Sequence, residues 1–266
     1  MLRSIGAVAA TALVLAAVPA VTATADETPR AGKRKVSLSV PSNVIEGDRV
    51  TVVVKVGRVE DAKVVQLEQL VTQYGKVGWQ TVGKAKTKRS KKYEFRVVAG
   101  EADALTVRAR VLYREGKPVK SDEAASAVWH WVPLTSFAPY YHTSGANDSG
   151  LTSFTLNGLS LHGWYTSGSS RTWESRFTLG RHCQAIRGIA GVRDESSDGS
   201  SAQVRLLADD VPAYASPTLV PGTAQPFQIA LALPYRLSVQ ADNLSAPPLR
   251  AYPAIGDPQL LCTGLG

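Results

Sequence analysis

Apolar and polar side chains alternate at every second position through much of this chain, and this two-residue period restricts its fold more than any other feature. Between residues 36 and 132 the pattern recurs in the short runs 36–40, 50–56, 64–70, 79–82, 93–97, 105–111 and 127–131. A two-residue period buries one face of a β-strand, whereas an amphipathic helix has a period near 3.6 residues. No helical period is needed after residue 25, so the sequence predicts an all-β protein.

The first 25 residues have the pattern of a secretory signal peptide. Arg3 precedes an uncharged run rich in Ala, Val and Leu, and Ala23, Thr24 and Ala25 form a small-x-small cleavage site. The run is shorter than the roughly 18 apolar residues that a spanning helix needs, and no later stretch approaches that length. The sequence therefore predicts a secreted, extracellular protein without a membrane span, in which residues 26–33 form a disordered tail.

The charge distribution divides the remaining chain into two predicted domains. Residues 34–132 contain 19 Lys and Arg against 11 Asp and Glu, whereas residues 133–266 contain 8 Arg, no Lys and 9 acidic residues. The net charge of +8 therefore comes mainly from the first segment. We expect one domain over 34–132 and a second over 133–266, each of ordinary domain size.

The first predicted domain resembles the Ig-like or fibronectin-like modules of secreted bacterial proteins, most closely in residues 78–82 and 93–95. Its short strands at regular spacing are typical of an antiparallel β-sandwich, and the resemblance implies no active site. Between the two matching stretches lies a basic cluster of Lys84, Lys86, Lys88, Arg89, Lys91 and Lys92. This cluster favours either an anionic cell-wall polymer as a partner or a solvated loop whose lysines protect a strand edge. Nucleic acid is not a predicted partner, because the cluster lacks interleaved aromatic residues for base stacking.

Two alternating patterns flank an acidic, polar turn at residues 194–200 in the second predicted domain. Before the turn, Ile186, Gly188, Ala190 and Val192 fall on one strand face, and Arg187, Ile189, Gly191 and Arg193 fall on the other. The turn residues favour local hydrogen bonds that reverse the chain. The pattern therefore predicts a β-hairpin of residues 186–192 and 204–208 with one buried face.

Residues 136–266 resemble the NPCBM family (novel putative carbohydrate-binding module). The matching positions are Phe177, Leu179, Ile186, Gly188, Ala190, Gly191, Val192, Asp194, Val204, Leu206, Asp209, Asp210, Tyr214 and Ser216, with Gly158, Leu159 and His162 upstream and Gly256, Asp257 and Pro258 downstream. This resemblance implies a jelly-roll-like β-sandwich that binds carbohydrate. Sandwich modules of this kind often carry a structural calcium ion.

Aromatic and polar side chains near the upstream match are the candidate carbohydrate-binding residues. A pyranose is recognised by aromatic faces that cover its C–H side and by polar groups that satisfy its hydroxyls. Trp164 and Tyr165 interest us most, because a polar segment predicted to be a loop follows them. The predicted sugar contacts are Tyr140, His162, Trp164, Tyr165 and Arg171. The alternative for each ring is a place in the core or at the domain interface, and Trp173 is predicted to be core.

The acidic residues of the 194–200 turn leave two interpretations open. Asp194 and Asp198 are candidate ligands of a structural calcium ion, which takes oxygen ligands from carboxylates and backbone carbonyls. The alternative is a solvated turn, and Arg193 beside them argues against a metal there. No sequence motif places a nucleophile beside a base, and no carboxylate pair for glycoside hydrolysis is evident. The chain is therefore predicted not to be an enzyme.

The two cysteines, Cys183 and Cys262, are predicted to form a disulfide. A pair of cysteines in an exported chain forms a disulfide by default, because the compartment is oxidising. Neither has a His or a second Cys at metal-ligand spacing. A bond between them closes a long loop of the second predicted domain.

Together these patterns predict an N-terminal Ig-like antiparallel sandwich followed by a jelly-roll-like β-sandwich. The predicted function is that of a secreted, noncatalytic carbohydrate-binding protein. Its second domain holds a polysaccharide or glycan, and its basic first domain acts as a spacer or adaptor. The alternative is an exported structural or protein-interaction protein whose sandwich has lost sugar binding, since a fold does not fix a function.

Overall fold

The computed structural model describes residues 34–88, 90–145, 150–166 and 171–264. The predicted signal peptide, the predicted tail and Arg89 lie outside these residues. The described chain consists of 19 β-strands and one short 3₁₀ turn, Leu134–Ser136. The predicted all-β class is therefore confirmed.

The N-terminal half of the described chain is a β-sandwich of nine strands. They are β1 (Val36–Ser39), β2 (Asn43–Ile45), β3 (Arg49–Val56), β4 (Ala62–Gln73), β5 (Lys76–Lys86), β6 (Lys92–Val98), β7 (Ala104–Tyr113), β8 (Val119–Lys120) and β9 (Ala124–Pro133). The order β1-β3-β6 forms one sheet, and β5-β4-β7-β9 forms the other. The seven predicted strand runs are all strands; the short β2, which pairs with β9 in parallel, and β8 were not predicted.

Valine side chains dominate the core of this first sandwich. Successive buried positions of β3 alternate with exposed ones, and Val52 and Val54 are fully buried between the sheets. Leu67 and Val107 face them from the second sheet within the same cluster. β-Branched side chains are stiff and pack well on a pleated surface, so this composition supports strands rather than helices.

The C-terminal half is a second sandwich of ten strands. They are β10 (Pro139–His142), β11 (Ser153–Leu156), β12 (Leu159–Tyr165), β13 (Thr172–Thr178), β14 (Cys183–Val192), β15 (Ala202–Ala208), β16 (Val211–Ala215), β17 (Ala224–Ala230), β18 (Arg236–Asn243) and β19 (Pro253–Cys262). One sheet has the order β10-β13-β18-β15-β16. In the other sheet, β19 pairs with β14 along one edge and with β12 along the other. The outer edge of β14 pairs with β17.

The core of the second sandwich is rich in aromatic rings and is closed by a disulfide. Trp164 packs edge-to-face on Phe177 with ring centroids 5.4 Å apart, and Trp173 is buried as predicted. Cys183 and Cys262 lie directly opposite each other on β14 and β19 and are bonded. The predicted disulfide is therefore present, and both of its cysteines are fully buried.

One sheet continues from the first sandwich into the second. The end of β19 pairs with the end of β9, so that Leu261 lies opposite Trp131 and Cys262 opposite His130. A small apolar cluster of Trp129, Ala185 and Leu261 covers this junction. The predicted boundary at residue 133 therefore falls at the end of a shared strand, and the division into two domains stays a prediction.

The predicted hairpin of residues 186–192 and 204–208 is wrong. β14 pairs with β17 and β19, whereas β15 pairs with β16 and β18 in the opposite sheet. The segment between them crosses the sandwich, where the Ser196 hydroxyl oxygen accepts the Tyr252 N–H at 3.0 Å. Ile186, Ala190 and Val192 of β14 are buried with Val204 and Leu206 of β15, because the two strands line the same core from opposite sides, whereas Gly188 of the predicted face is half-buried. Alternation indicates which face is buried and does not identify the neighbouring strand.

Candidate functional site

Trp164, the central predicted sugar-stacking residue, is a core side chain. Only 1% of its surface is exposed, and it lies in the main cluster of the second sandwich. A sugar stacks on an aromatic ring only where a ring face reaches solvent. The prediction that Trp164 contacts carbohydrate is therefore corrected. On the other face of β12, Leu161 packs into a second apolar cluster.

The four other predicted sugar contacts are at least partly accessible, but they do not converge. Tyr165 is half-buried, and the Arg193 guanidinium lies 4.0 Å from its ring centroid. His162 is exposed on the same strand, β12. Tyr140 is 49% exposed on β10 of the opposite sheet. Arg171, also exposed, precedes β13 and donates hydrogen bonds to the carbonyls of Asn243 and Ser245. These residues do not form a single site.

Asp194, one of the two predicted calcium ligands, has a different structural role. Both carboxylate oxygens of Asp194 accept backbone N–H groups from the turn between β11 and β12, at 2.6 Å from Asn157 and 2.9 Å from Gly158. Asp198 is exposed in the same segment. In the part of the chain that the structure describes, no group of three or more His, Cys, Asp or Glu side chains is placed to hold a metal ion. Asp194 is best explained as a cap of this turn.

A groove of about 450 Å³ lies on the outer face of the β17-β14-β19 sheet, and it is the candidate site. Its polar side chains form a row across three adjacent strands, because Arg187 on β14 is paired with Gln228 on β17 and with Gln259 on β19. Sequence alternation placed Arg187 on the face opposite Ile186, so it points away from the core as predicted. The groove is lined by Arg187, Gly188, Ile189, Pro226, Phe227, Gln228, Asp257 and Gln259.

Apolar surface lies directly beside the polar row. Ile189 and Pro226 are opposite each other in the β14–β17 ladder, two pairs along from the row. Ile189 also packs against the cluster of Phe154, Leu156 and Leu161 under the β11–β12 hairpin. The groove therefore offers amide and guanidinium groups on one side and a hydrocarbon surface on the other. This combination is typical of small-molecule sites.

Arg187 is held in place by two neighbours, and it organises the row. Its Nε and one terminal nitrogen both donate to Oε1 of Gln259, at 2.8 and 2.6 Å. Its guanidinium lies 4.1 Å from the ring centroid of Trp131, a favourable cation–π distance. Because Gln259 Oε1 is occupied by these two bonds, the amide NH₂ group of Gln259 remains to donate to a ligand.

Asp257 places a carboxylate at the other end of the groove, next to the predicted residue His162. Its Oδ1 accepts the His162 N–H at 3.0 Å, which joins β19 to β12 at this point. The backbone φ of Asp257 is +44°, a conformation that Asp adopts more readily than most residues. The strand pairing shifts register between Arg187 and Ile189, opposite this position. A bulge of this kind is common where a strand re-aims side chains.

A second polar surface lies on the opposite outer face of the sandwich. Oε1 of Glu174 accepts bonds from Arg176, Ser238 and Gln240 at 2.8, 2.6 and 3.0 Å. Burial raises the pKa of Glu174, but these hydrogen bonds outweigh that effect and hold the pKa below its ordinary value of 4.5. The acceptor capacity of Glu174 is largely used within the protein, so this face is less suited to a ligand than the groove.

Two polar residues of the groove, Gln228 and Gln259, were missed at the sequence level, and so was Trp131, which stacks on Arg187. Gln228 and Gln259 lie on strands whose partners the sequence does not reveal, and Trp131 belongs to the other predicted domain. The available signal was Arg187 itself, a charged residue on the polar side of an otherwise apolar strand. Such a residue marks a solvent-facing position on a central strand.

The described residues also include no helix that is long and apolar enough to cross a membrane. The buried disulfide is typical of a protein from an oxidising compartment.

No family model and no curated protein matches this chain. Among solved structures, the SusE-like protein BT2857 is 13% identical, and the match covers 85% of this chain and 96% of that one with a TM-score of 0.29. Carbohydrate-binding module CBM36, in complex with calcium and xylotriose, is 12% identical over 49% of this chain and 98% of its own, with a TM-score of 0.27. Allantoicase from Saccharomyces cerevisiae is 14% identical over 80% and 77%, with a TM-score of 0.31. At these scores the similarity does not extend to a ligand, and the NPCBM and Ig-like resemblances stay predictions.

Proposed function

We propose that this protein is a secreted, noncatalytic carbohydrate-binding protein and that the groove on β14, β17 and β19 holds the glycan. The observation that carries the proposal is the row of Gln228, Arg187 and Gln259 beside an apolar surface. Amide and guanidinium groups are planar, and they donate in pairs to neighbouring hydroxyls. The apolar surface of Ile189 and Pro226 suits the C–H side of a sugar ring.

The size and charge of the groove favour a short segment of a neutral glycan. A volume of about 450 Å³ lies within the usual range for small-ligand sites. The groove contains one cation, Arg187, and one carboxylate, Asp257, so it has no net charge with which to select an ion. The stacked Trp131 and the paired Gln259 hold Arg187 in place before a ligand arrives, which lowers the entropy cost of binding.

A glycan array probed with the full, oxidised chain tests this proposal. Glycans that bind are then titrated calorimetrically against the Arg187→Ala variant. We expect at least about tenfold weaker binding, because a hydrogen bond to a charged group contributes on the order of 1.5–3 kcal/mol. The matched control is Arg205→Ala, which removes an arginine from the opposite outer face, where it pairs with Asp242.

The control variant should bind glycan as the wild type does. If no glycan on the array binds, or if the two variants lose affinity equally, the groove is not a carbohydrate site.

One observation favours the alternative of an exported protein-interaction protein. The β4–β5 hairpin ends in Tyr74, which is completely exposed, and Val77 beside it is 67% exposed. Exposed apolar side chains at the tip of a hairpin are suited to protein contacts. A negative result across the glycan array would favour this second function.

A further inference from the structure

Three lysines of the basic cluster singled out in the sequence, Lys86, Lys88 and Lys91, line a groove at one end of the first sandwich. This basic groove, with a volume of about 1100 Å³, is lined by Val59, Glu60, Ala62, Lys63, Val64, Lys86, Thr87, Lys88, Lys91 and Arg114. It lies where the ends of β4 and β5 meet the loops that lead into β6 and out of β7. It therefore belongs to a different sandwich and a different surface from the Arg187 groove.

The backbone around the basic groove is fixed by hydrogen bonds. Thr87 donates from its N–H to the Lys63 carbonyl at 3.0 Å and from its hydroxyl to the Ala62 carbonyl. The Tyr93 hydroxyl donates to the Lys88 carbonyl at 3.0 Å, and the Lys91 carbonyl accepts the Val56 N–H at 2.9 Å. Hydrogen bonds therefore hold the backbone that carries Lys63, Lys88 and Lys91.

The cations of the basic groove have no partners within the described residues. Lys63, Lys86, Lys88, Lys91 and Arg114 are exposed, and none of them is within ion-pair distance of a described carboxylate. Glu60 is the single acidic side chain among the lining residues. By contrast, Lys92 next to the groove pairs with Glu94 at 2.7 Å. Five unpaired cations around one concavity concentrate positive potential there.

The positive surface continues past Lys91 into a second depression. This depression, of about 420 Å³, is lined by Lys35, Ser37, Lys55, Val56, Gly57, Lys91 and Lys92. Lys91 is common to both. Because the two depressions share Lys91, they form one track that is lined by eight cationic side chains, and a linear polyanion fits it better than a single small ion.

We propose that this track binds an anionic polysaccharide. Lysine ammonium groups are mobile point charges that suit spaced carboxylate or sulfate groups, whereas a phosphate selected by geometry favours arginine forks. Neither depression includes an aromatic side chain among its lining residues, so the base stacking that retains single-stranded nucleic acid is not provided. The proposal does not depend on glycan binding in the Arg187 groove.

A charge-reversal variant of the full chain tests the proposal. The variant combines Lys86→Glu, Lys88→Glu and Lys91→Glu. The matched control combines Lys76→Glu, Lys117→Glu and Lys120→Glu, three exposed lysines that line neither depression and give the same change in net charge. Affinity is measured for heparin as a sulfated probe, polygalacturonate as a carboxylated probe, neutral dextran and double-stranded DNA, at low and at physiological ionic strength.

We expect the wild type to bind heparin, polygalacturonate or both in a salt-dependent manner. The groove variant should bind about tenfold or more weakly, and the control variant should stay within about twofold of the wild type. Thermal melts confirm that both variants fold, which exposed lysine substitutions permit. The two anionic probes distinguish sulfate from carboxylate as the preferred group.

Three outcomes would overturn the proposal. In the first, the wild type binds neither heparin nor polygalacturonate. In the second, both variants weaken binding equally, which indicates nonspecific attraction to net charge. In the third, DNA binds more tightly than either polysaccharide and loses affinity in the groove variant, which makes nucleic acid the ligand. None of these outcomes affects the Arg187→Ala result, so the two sites succeed or fail separately.

Discussion

Both halves of this protein are β-sandwiches, but they differ in the composition of their cores and in the charge of their surfaces. The first is packed mainly by valines such as Val52 and Val54 and carries all the described lysines on its surface. The second packs leucine, isoleucine and valine side chains around large rings such as Trp164 and Phe177, has arginine as its basic residue, and is closed by a disulfide. β-Branched side chains stabilise strands individually, whereas a core of rings depends on close mutual fit.

This difference extends to the surfaces that we propose as binding sites. In the second sandwich, Arg187 is immobilised by Gln259 and Trp131 in a groove of balanced charge. In the first, the exposed side chains of Lys86, Lys88 and Lys91 line a positive groove and pair with no described carboxylate. Fixed donors suit a neutral ligand that is recognised by geometry. Mobile cations suit a polyanion that is recognised by charge.

Removal of the disulfide should have the largest effect on stability, and it should destabilise the second sandwich more than the first. The double variant Cys183→Ser, Cys262→Ser opens the loop between two cysteines that are separated by 79 positions in the sequence. The chain-entropy model predicts a loss of about 4 kcal/mol of unfolding free energy. Guanidinium denaturation measures that loss, and hydrogen exchange locates it. We expect strand β14 to lose protection while strand β3 keeps it.

The opposite pattern would remove the distinction between the halves. If amides of β3 and β14 lose protection together, the pairing of Leu261 with Trp131 couples the sandwiches into one cooperative unit. The predicted division at residue 133 would then describe composition and not folding.

A glycine substitution at a closely packed position of the second sandwich should have a smaller effect, which an open position of the first sandwich should not show. A Cβ at Gly191 would lie 2.7 Å from the Thr223 carbonyl oxygen and 2.8 Å from a Leu156 methyl. Because the backbone oxygen has little freedom to move, Gly191→Ala should destabilise the protein by about 1–3 kcal/mol. The matched control is Gly78→Ala on β5, where a Cβ meets no atom within 4 Å.

Chemical denaturation of both variants measures the difference. Gly78→Ala should be neutral or slightly stabilising, because alanine restricts the unfolded chain. Equal destabilisation by the two substitutions would show that backbone flexibility, and not close packing of the second sandwich, controls the response.

The sequence predicted local features of both halves well and long-range features poorly. Alternation located the strands of the first sandwich and the outward side of Arg187, because side-chain period depends on the backbone alone. It did not reveal that β14 and β15 lie in different sheets, because strand pairing depends on contacts between distant segments. The burial of Trp164 was missed for the same reason. Its exposure depends on whether the Trp164 side of β12 is covered, and residues of distant strands such as Phe177 decide that.

The loss of stability in acid should be the smallest of these effects. Its dependence on salt distinguishes Glu174 of the second sandwich from Glu94 of the first. Burial raises the pKa of Glu174, but hydrogen bonds from Arg176, Ser238 and Gln240 lower it more. In the first sandwich, the hydrogen bond and charge of Lys92 lower the pKa of Glu94. A carboxyl whose folded pKa is depressed contributes stability above its ordinary value, here 4.5, and loses it as the pH falls through the folded pKa.

Glu174→Gln and Glu94→Gln test where this acid response comes from. Denaturation midpoints measured between neutral pH and about pH 3 should depend less on pH in each variant than in the wild type. Added salt should erase the difference for Glu94, whose side chain is 57% exposed, because solvent ions screen exposed pairs. It should leave the difference for Glu174, whose side chain is only 16% exposed, and that difference should be about 1 kcal/mol or less. If salt erases both equally, the Glu174 network is as solvated as a surface ion pair, and the outer face of the second sandwich is no more ordered than that of the first.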